Sequence, residues 1–578
     1  MVKLIKHRSL APVWVFLAST LLSLCWLIPN HSSPWTAFHS DAVAATVLTV
    51  IGFYVVLTKS EIPKLNFFNL GLVVLMVVPW IQLLTGQLVF LGQAWMGSVY
   101  LLGFLFAMLV GQYWSSRSGI LMGDVIFLAV GLAALLSVGM EFKQWLMLEN
   151  NETLNFWVMK VGNDRPHANI GQPNQLATLL LWGILAGVWG LWRGKLRGWV
   201  VLMLAIFLSA GIALTQSRTA GFGLLAFFIF AWYWRKKLIE TPAGWGIVCA
   251  SLALLIVYTG LLVWMNDLSR LLFLPEKLQL EGRLGPGLRP QAWQMFLGAA
   301  LEHPWWGYGW NQTIAAHFEV AEKFPALNTP FSQAHNLIID LVLWLGIPLG
   351  LIFSVGLVYG FVLMIRKVSS QQHAIYVLMI FVIGIHALLE YPLHYAYFLL
   401  PTGIVLGVLA ADLKILIVNS AAPKLVHRLA WIVAVSSALA LAVTIRDYVR
   451  VESEYLALAV ERAQIENSRI AVAPDVWTLT DQAEIQTFMK FTPTSTASLY
   501  QLEVAEAVTK SQPSTQNFLK VALMAGINGQ PEKAGILLSK MCKTVPKAQC
   551  ISASAQWKEM QKTYPSLSSV NWTSIYVP

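Results

Sequence analysis

The chain has 578 residues, of which 57% are hydrophobic and 12% are charged, and its formal net charge is +10. A soluble domain averages about 45–50% apolar and about 25% charged residues, so this composition excludes a disordered chain, a coiled coil and an ordinary soluble enzyme. The 25 Trp and 28 Phe point the same way, because aromatic residues gather at membrane–water interfaces. The composition predicts a protein of the lipid bilayer.

Apolar runs long enough to cross a bilayer recur along the chain. A hydrocarbon core of about 30 Å needs about 20 apolar residues in a helix, and about 13 such runs occur. They lie at 11–29, 42–58, 67–85, 90–112, 120–140, 174–192, 198–215, 220–234, 244–265, 336–363, 374–390, 396–411 and 429–447. The first run follows a basic start without a small-residue cleavage site after it, so we interpret it as a retained anchor. The sequence predicts an all-α polytopic membrane protein.

Basic residues separate the connections into two alternating sets. One set comprises the N-terminus, 58–66, 113–119, 192–198, 234–244, 364–373 and 411–428, and it holds 17 of the 39 Lys and Arg. By the positive-inside rule this set is cytoplasmic, which places the other connections on the exported side. The basic balance therefore indicates orientation, and we expect no nucleic-acid partner.

Two domains follow from this arrangement. Residues 1–448 form the membrane domain, which includes a long exported loop at 266–335. An odd number of spans leaves residues 449–578 on the exported side, where helical spacing and the turn at 529–534, similar to that of a helical-hairpin repeat, predict a small α-helical domain. A disulfide between Cys542 and Cys550 is chemically permitted there, and the sequence leaves it open.

Four polar clusters fall on the predicted exported side. They are residues 165–175, the turn at 215–219, the loop 266–335 with its end at Ala334-His335-Asn336, and residues 390–395, which begin Glu390-Tyr391-Pro392. Helix capping explains any one cluster as well as function does. Arg218 differs, because it is a lone cation on the side where the positive-inside rule disfavours positive charge. Anion binding is the preferred interpretation for it over contact with lipid headgroups.

Several enzyme classes lack their motifs here. The sequence contains no Gly-x-x-x-x-Gly-Lys-Ser/Thr loop, no Gly-x-Gly-x-x-Gly after a strand and no His-Glu-x-x-His or Cys-rich zinc set. Aspartates are scarce on the exported face, which argues against a magnesium site. The arginines, histidines, Gln, Asn and Tyr that gather there suit an anionic, phosphate-bearing substrate and a histidine that moves a proton.

These clusters carry a resemblance to a known family. The segment 165–175, Gln-Ser-Arg at 216–218, Arg289 with Trp293-Gln294, the stretch 304–309, Ala334-His335-Asn336 and Glu390-Tyr391-Pro392 occur in this order. The chain thereby resembles the bacterial O-oligosaccharyltransferases that glycosylate pilin-like proteins, a branch of the superfamily of O-antigen ligases and polymerases. The likeness covers roughly residues 10–450.

The resemblance implies an inner-membrane transferase that moves glycan from an undecaprenyl-pyrophosphate carrier to Ser or Thr of an exported pilin-like protein. The active site would be periplasmic and would need neither metal nor cofactor. By position, His335 matches the essential histidine, a general base, and Arg218 and Arg289 match the arginines that hold the pyrophosphate. Tyr391, Gln172 and Gln175 match further functional positions, and we add four substrate-binding candidates from the same clusters: His167, Asn169, Asn336 and Glu390.

Four points stay open at this level: which carboxylate orients His335, which acceptor is used, whether the protein is a transferase or a flippase, and what the tail does. No carboxylate lies beside His335: Asp340 is not one helical turn away, and Glu390 shares only a predicted membrane face with it. An O-antigen ligase that attaches glycan to lipid A–core is the alternative within the superfamily, although such ligases commonly lack the exported tail. A flippase is the alternative from another class, and it is disfavoured because the spans contain few ionisable residues. The tail either contacts the acceptor protein or forms a structural cap.

Overall fold

A computed structural model of the chain confirms that it is all-α. The structure describes residues 2–58, 64–114, 122–148, 152–161, 165–238, 243–274, 287–418, 422–465 and 469–572. This part of the chain is 77% helical and contains no β-strand, only an isolated bridge between Asn66 and Ile417. Residues 275–286 of the predicted loop 266–335, with Arg283, lie outside the described residues.

The described residues form 22 α-helices. Those before residue 275 are α1 (Val2–Leu27), α2 (Phe38–Thr58), α3 (Phe67–Leu84), α4 (Leu91–Tyr113), α5 (Met122–Trp145), α6 (Glu152–Trp157), α7 (Pro173–Trp192), α8 (Gly198–Thr215), α9 (Arg218–Leu238) and α10 (Ala243–Leu271). Those after residue 286 are α11 (Arg289–Glu302), α12 (Thr313–Val320), α13 (Leu337–Leu345), α14 (Ile347–Lys367), α15 (Gln371–Ala387), α16 (Ala396–Asp412), α17 (Pro423–Arg462), α18 (Thr480–Lys490), α19 (Leu499–Ser511), α20 (Thr515–Ile527), α21 (Pro531–Thr544) and α22 (Lys547–Thr563).

Nine helices of the described chain are long and apolar enough to cross a membrane: α2, α3, α4, α5, α7, α8, α10, α14 and α17. Three shorter apolar helices join them, Val13–Leu27 of α1, α15 and α16. A helix rises about 1.5 Å per residue, so the 40 residues of α17 extend about 60 Å, roughly twice the hydrocarbon core. The finding supports a multi-pass membrane protein, and the number of 13 spans stays a prediction.

The chain divides into two compact units. The first unit contains Met1–Val73, Val99–Leu284 and Leu357–Leu441, and the second contains Val74–Ser98, Gly285–Gly356 and Ala442–Pro578. The tail beyond residue 448 therefore belongs to the second unit, together with the segment 285–356 that carries His335. The boundary between residues 448 and 449 stays a prediction.

Helix α7 forms the centre of the first unit. In the most apolar stretch of this helix, 72% of the residues are buried, against 22% in the corresponding stretches of α3, α10 and α14. It packs against α5, α8 and α15. The indole of Trp182 is fully buried, donates to the carbonyl of Met379 at 3.1 Å and meets the ring of Phe398 edge-on. The polar segment that starts this helix is thereby joined to the most buried candidate span of the unit.

In the second unit, the helices of the tail pack on the segment that precedes His335. The rings of Phe518 in α20 and Phe318 in α12 stack with centroids 5.6 Å apart. The N–H of Asn328 donates to the carbonyl of Lys543 at 3.2 Å. A disulfide joins Cys542 in α21 to Cys550 in α22, which resolves the open question about this pair.

The apolar run predicted at 336–363 is not one helix. It breaks at Gly346, which separates α13 from α14 with φ of 81° and ψ of 165°, a backbone region that is essentially restricted to glycine. A Cβ at this position would lie 2.3 Å from the carbonyl oxygen of Trp305. The prediction of a single span here was wrong, because a hydropathy pattern does not show where two backbone segments approach each other this closely.

Gly346→Ala should destabilise the protein, since the backbone strain alone costs about 1–3 kcal/mol and the added Cβ would clash with the backbone of Trp305. The matched control is Gly356→Ala in α14, where no atom lies within 4 Å of an added Cβ. Alanine stabilises a helix interior by about 1 kcal/mol relative to glycine. Thermal unfolding in detergent should give a lower midpoint for Gly346→Ala alone. Equal midpoints for the two variants would refute the explanation.

Candidate active site

The segment before α7 is held by side chains that bind backbone groups. The amide oxygen of Gln144 accepts the N–H groups of His167 and Ala168 at 3.0 and 2.8 Å. The side chain of Asn169 accepts from the N–H of Met159 and donates to the carbonyls of Leu27 and Trp157, all within 2.9 Å. His167 and Asn169 are both buried. The described contacts of Asn169 therefore give it a structural role, whereas its contact with substrate stays a prediction.

Gln172 and Gln175 lie at the start of α7 and are linked to each other. Gln172 is the N-cap residue, and its side-chain oxygen accepts from the N–H of Gln175 at 2.7 Å. The side-chain oxygen of Gln175 in turn accepts from the hydroxyl of Tyr397 at 2.8 Å. Tyr395 also hydrogen-bonds Gln175 and Tyr391 through its side chain. The structure thus brings two predicted residues of the 165–175 cluster together with the predicted Tyr391.

Glu390 belongs to the same cluster in the first unit. Its carboxylate accepts from the side-chain amide of Asn174 at 3.2 Å. Burial, and then the charge of Glu390, raise the pKa of the Tyr391 hydroxyl above its ordinary value. Burial lowers the pKa of His394 to about 4, so this imidazole is neutral near pH 7. The cluster contributes neutral hydroxyl and amide groups with one carboxylate.

Arg218 stands in a tight turn of the first unit. Gln216 ends α8 in the left-handed region with φ of 51°, and Arg218 begins α9. The guanidinium of Arg165 donates to the carbonyl of Thr215 at 2.9 Å, and the hydroxyl of Tyr258 donates to the carbonyl of Ser217 at 2.9 Å. These bonds fix the turn, and the side chain of Arg218 is exposed beside it.

In the second unit, Arg289 and His335 are linked through one tryptophan. Arg289 is the first residue of α11, and Trp293 lies one helical turn after it. The indole N–H of Trp293 donates to the carbonyl of Ala334 at 2.8 Å, directly before His335 in the chain. The first turn of α11 is therefore fixed against the His335 turn.

His335 lies in a strained turn before α13. Its φ is 53°, a left-handed conformation that costs a non-glycine residue about 1–3 kcal/mol. Asn336 caps α13, because its side-chain oxygen accepts from the N–H groups of Ile338 and Ile339 at 3.0 and 3.3 Å. The ring of Phe331 meets the imidazole of His335 edge-on, with the ring centroids 5.8 Å apart. Asn336 therefore serves the helix end, and a role in substrate binding stays a prediction for it.

Asp340 is the carboxylate that sequence spacing missed. Its Oδ1 accepts from the N–H of Ala334 at 2.9 Å and from the hydroxyl of Thr313 at 2.7 Å. Burial raises the pKa of Asp340 to about 6, while those two hydrogen bonds and the charge of His335 lower it. The helix starts only at Leu337, so helical spacing from His335 does not apply. A lone Asp in the first turn after an Asn cap was the available signal.

The other histidines of this segment have settled roles. His317 in α12 is buried, accepts from the N–H of Phe331 at 3.2 Å and has its pKa lowered to about 4 by burial. His303 is exposed and contacts the carboxylate of Glu319 at 3.0 Å. Among the described residues, no three His, Cys, Asp or Glu side chains converge as a metal site needs. Independence from metal stays a prediction.

The predicted residues thus form two groups. Gln172, Gln175, Glu390 and Tyr391 come together in the first unit, where Arg218 occupies a separate turn with Arg165. Arg289, His335 and Asn336 belong to the second unit with Asp340. An arginine fork pairs with phosphate oxygens and an imidazole exchanges a proton near neutral pH. In the second unit, Arg289 supplies the guanidinium and His335 supplies the imidazole.

Comparison with known families covers all of these segments. Residues 166–191 match a family described as "Protein glycosylation ligase", residues 203–354 match "O-Antigen ligase", and residues 375–559 match "Virulence factor membrane-bound polymerase, C-terminal". The first match contains Gln172 and Gln175, the second contains Arg218, Arg289 and His335.

Two curated proteins of Acinetobacter baylyi are similar over most of the chain. A general O-oligosaccharyltransferase is 30% identical over 537 residues, which cover 90% of this chain and 90% of that protein. A ComP-specific O-oligosaccharyltransferase is 27% identical over 420 residues, covering 71% of this chain and 72% of that protein.

The pH dependence of stability should report on Asp340. Because its folded pKa of about 6 lies above the ordinary value of 3.8, the unfolded chain releases the proton first and stability falls as pH rises through this window. The upper bound of this loss is about 3 kcal/mol. As the pH rises from 4 to 6, the thermal midpoint of the wild type should fall relative to that of Asp340→Asn. Parallel profiles would contradict the assignment, and Asp267→Asn, at an exposed carboxylate, is the control.

Proposed function

The chain belongs to the O-oligosaccharyltransferase family, and we propose that it transfers a preassembled glycan from undecaprenyl pyrophosphate to a Ser or Thr of an exported pilin-like protein. The observation that carries the proposal is the connection of Arg289 and His335 through Trp293 and Ala334. It places the start of an arginine-bearing helix against the turn that presents the imidazole. No metal or cofactor takes part in the proposed reaction.

Arg289 and Arg218 hold the pyrophosphate in this proposal. A guanidinium offers a planar fork of donors that matches phosphate oxygens and stabilises the charge that develops as the pyrophosphate leaves. Arg289 begins α11 and Arg218 begins α9, and a helix start favours an anion through its unpaired N–H groups. Both arginines fall on the predicted exported side, where Lys and Arg are otherwise sparse.

His335 is the general base in this proposal. The acceptor hydroxyl oxygen forms a bond to the anomeric carbon while the bond from that carbon to the phosphate oxygen breaks. The electron pair leaves with the pyrophosphate, and the hydroxyl proton passes to the imidazole of His335. Asp340 stabilises the turn that presents the imidazole. Glu390, Tyr391 and the glutamine pair bind sugar or acceptor hydroxyls.

The protein acceptor is favoured over lipid A–core by the match of residues 166–191 to the protein glycosylation ligases and by the two O-oligosaccharyltransferase relatives. The ligase reaction is the second candidate, because residues 203–354 match the O-antigen ligase family. A flippase would not need the His335–Asp340 arrangement. The Lys and Arg distribution supports a place in the inner membrane with the active site and the tail in the periplasm.

His335→Ala should abolish transfer and leave expression and thermal stability unchanged, since the acceptor hydroxyl then has no base. His303→Ala is the matched control, because His303 is an exposed histidine of the same segment whose side chain contacts Glu319 and Tyr308. The measurement is the intact mass of a pilin co-expressed with the enzyme and a lipid-linked glycan pathway. Full transfer by His335→Ala would remove this residue from the mechanism. If the wild-type protein left the pilin unmodified but attached glycan to lipid A–core, the lipid acceptor would be favoured.

Arg289→Lys should reduce the rate of transfer by about tenfold or more, because a point charge replaces a fork and one charge-assisted hydrogen bond is worth about 1.5–3 kcal/mol. Arg270→Lys in α10, at an exposed arginine, serves as the control. Initial rates at varied donor concentration separate binding from chemistry. A rate equal to that of the wild type would exclude a bidentate contact between Arg289 and phosphate.

A further inference from the structure

Helix α11 exposes a large apolar surface on the side that faces away from its own core. It buries Ala292, Met295, Phe296 and Ala299 at the three- and four-residue spacing of one helical face. On the other side Leu297 and Leu301 are 54% and 71% exposed, and Trp305 and Trp306 directly after the helix are 71% and 75% exposed. We call these four residues, Leu297, Leu301, Trp305 and Trp306, the α11 surface.

The α11 surface adjoins the beginning of one candidate span and the end of another. The N–H of Ile347, the first residue of α14, donates to the carbonyl of Pro304 at 2.7 Å. The side chain of Gln87, three residues after the end of α3, donates to the carbonyl of Gly307 at 3.1 Å. Both α3 and α14 are apolar helices long enough to cross a membrane. The ends of two candidate spans therefore lie beside Trp305 and Trp306.

The exposed sides of these two spans continue the same apolar surface. Ile81 and Leu84 at the end of α3 are 50% and 87% exposed, and Ile352 near the start of α14 is 66% exposed. Side chains on the outside of a membrane span contact lipid, and tryptophan is enriched where hydrocarbon meets the headgroups. An apolar surface of this kind marks an interaction site, and its continuity with α3 and α14 identifies lipid as the occupant.

We propose that α11 is an interfacial helix whose surface of Leu297, Leu301, Trp305 and Trp306 lies in the headgroup–acyl boundary of the bilayer. Such helices bury an apolar side in the interface and keep polar groups toward water. Gln291 and Glu302, both exposed, supply those polar groups. A consequence rests on the proposed function: Arg289, at the start of the same helix, is held at headgroup depth, where the pyrophosphate of a lipid carrier lies.

The test measures which medium surrounds the α11 surface in the full-length protein. A nitroxide is attached at Leu301→Cys in a Cys249→Ser background, since Cys25 is buried and the other two cysteines form a disulfide. The protein is reconstituted in phosphatidylcholine–phosphatidylglycerol bilayers. Collision with oxygen, which partitions into lipid, is compared with collision with a water-soluble nickel chelate. Ile352→Cys on α14 is the lipid reference, and Ala555→Cys on exposed α22 is the water reference.

The oxygen-to-nickel ratio at residue 301 should be several-fold higher than at residue 555 and close to that at residue 352. A ratio equal to that of residue 555 would overturn the proposal, and low collision with both reagents would assign the surface to a protein partner instead. Leu297→Cys repeats the measurement if the first variant fails to fold. The readout does not need glycan transfer. A lipid-like ratio combined with full transfer by His335→Ala would preserve the interfacial helix and refute the proposed mechanism.

Discussion

The geometry around His335 depends on the buried carboxylate of Asp340. One oxygen of this carboxylate accepts from both the N–H of Ala334 and the hydroxyl of Thr313, so three elements of the chain meet at one atom. Thr313 also accepts from the indole of Trp344 at 2.8 Å, which extends the network into α13. A buried polar group left without a partner costs about 1–3 kcal/mol. These bonds therefore offset the left-handed strain at His335 and fix the turn that carries it.

Helix beginnings carry several of the candidate residues in each unit. Gln172 caps α7, Asn336 caps α13, and Arg218 and Arg289 are the first residues of α9 and α11. The first turn of a helix leaves N–H groups unpaired and carries partial positive charge. Polar residues gather there to satisfy those groups, and the same field favours any anion that lies at a helix start. Capping and function are for this reason not separate interpretations at these positions.

Hydropathy predicted individual helices well where polar residues bound an apolar run. The runs at 174–192 and 198–215 correspond to Pro173–Trp192 and Gly198–Thr215, because a Gln-Pro start and a glycine start delimit them. The run at 336–363 failed, since the break at Gly346 comes from the close passage of the Trp305 backbone and not from composition. Asp340 was missed for a related reason. Spacing along an assumed helix cannot locate a partner when the residue of interest lies in the turn that precedes the helix.

The sequence by itself determined the all-α class, the apolar helices, the inventory of arginine and histidine, and the family. These properties follow from local composition and from residues read in order. The tertiary structure alone decided that the hydroxyl of Tyr397 binds Gln175, 222 residues away, and that Trp293 binds the carbonyl before His335. It also decided which polar residues cap helices and that Cys542 joins Cys550. Periodicity records how one segment partitions between water and an apolar medium. The pairing of distant donors and acceptors depends on how packed helices bring their ends together, and no single segment contains that information.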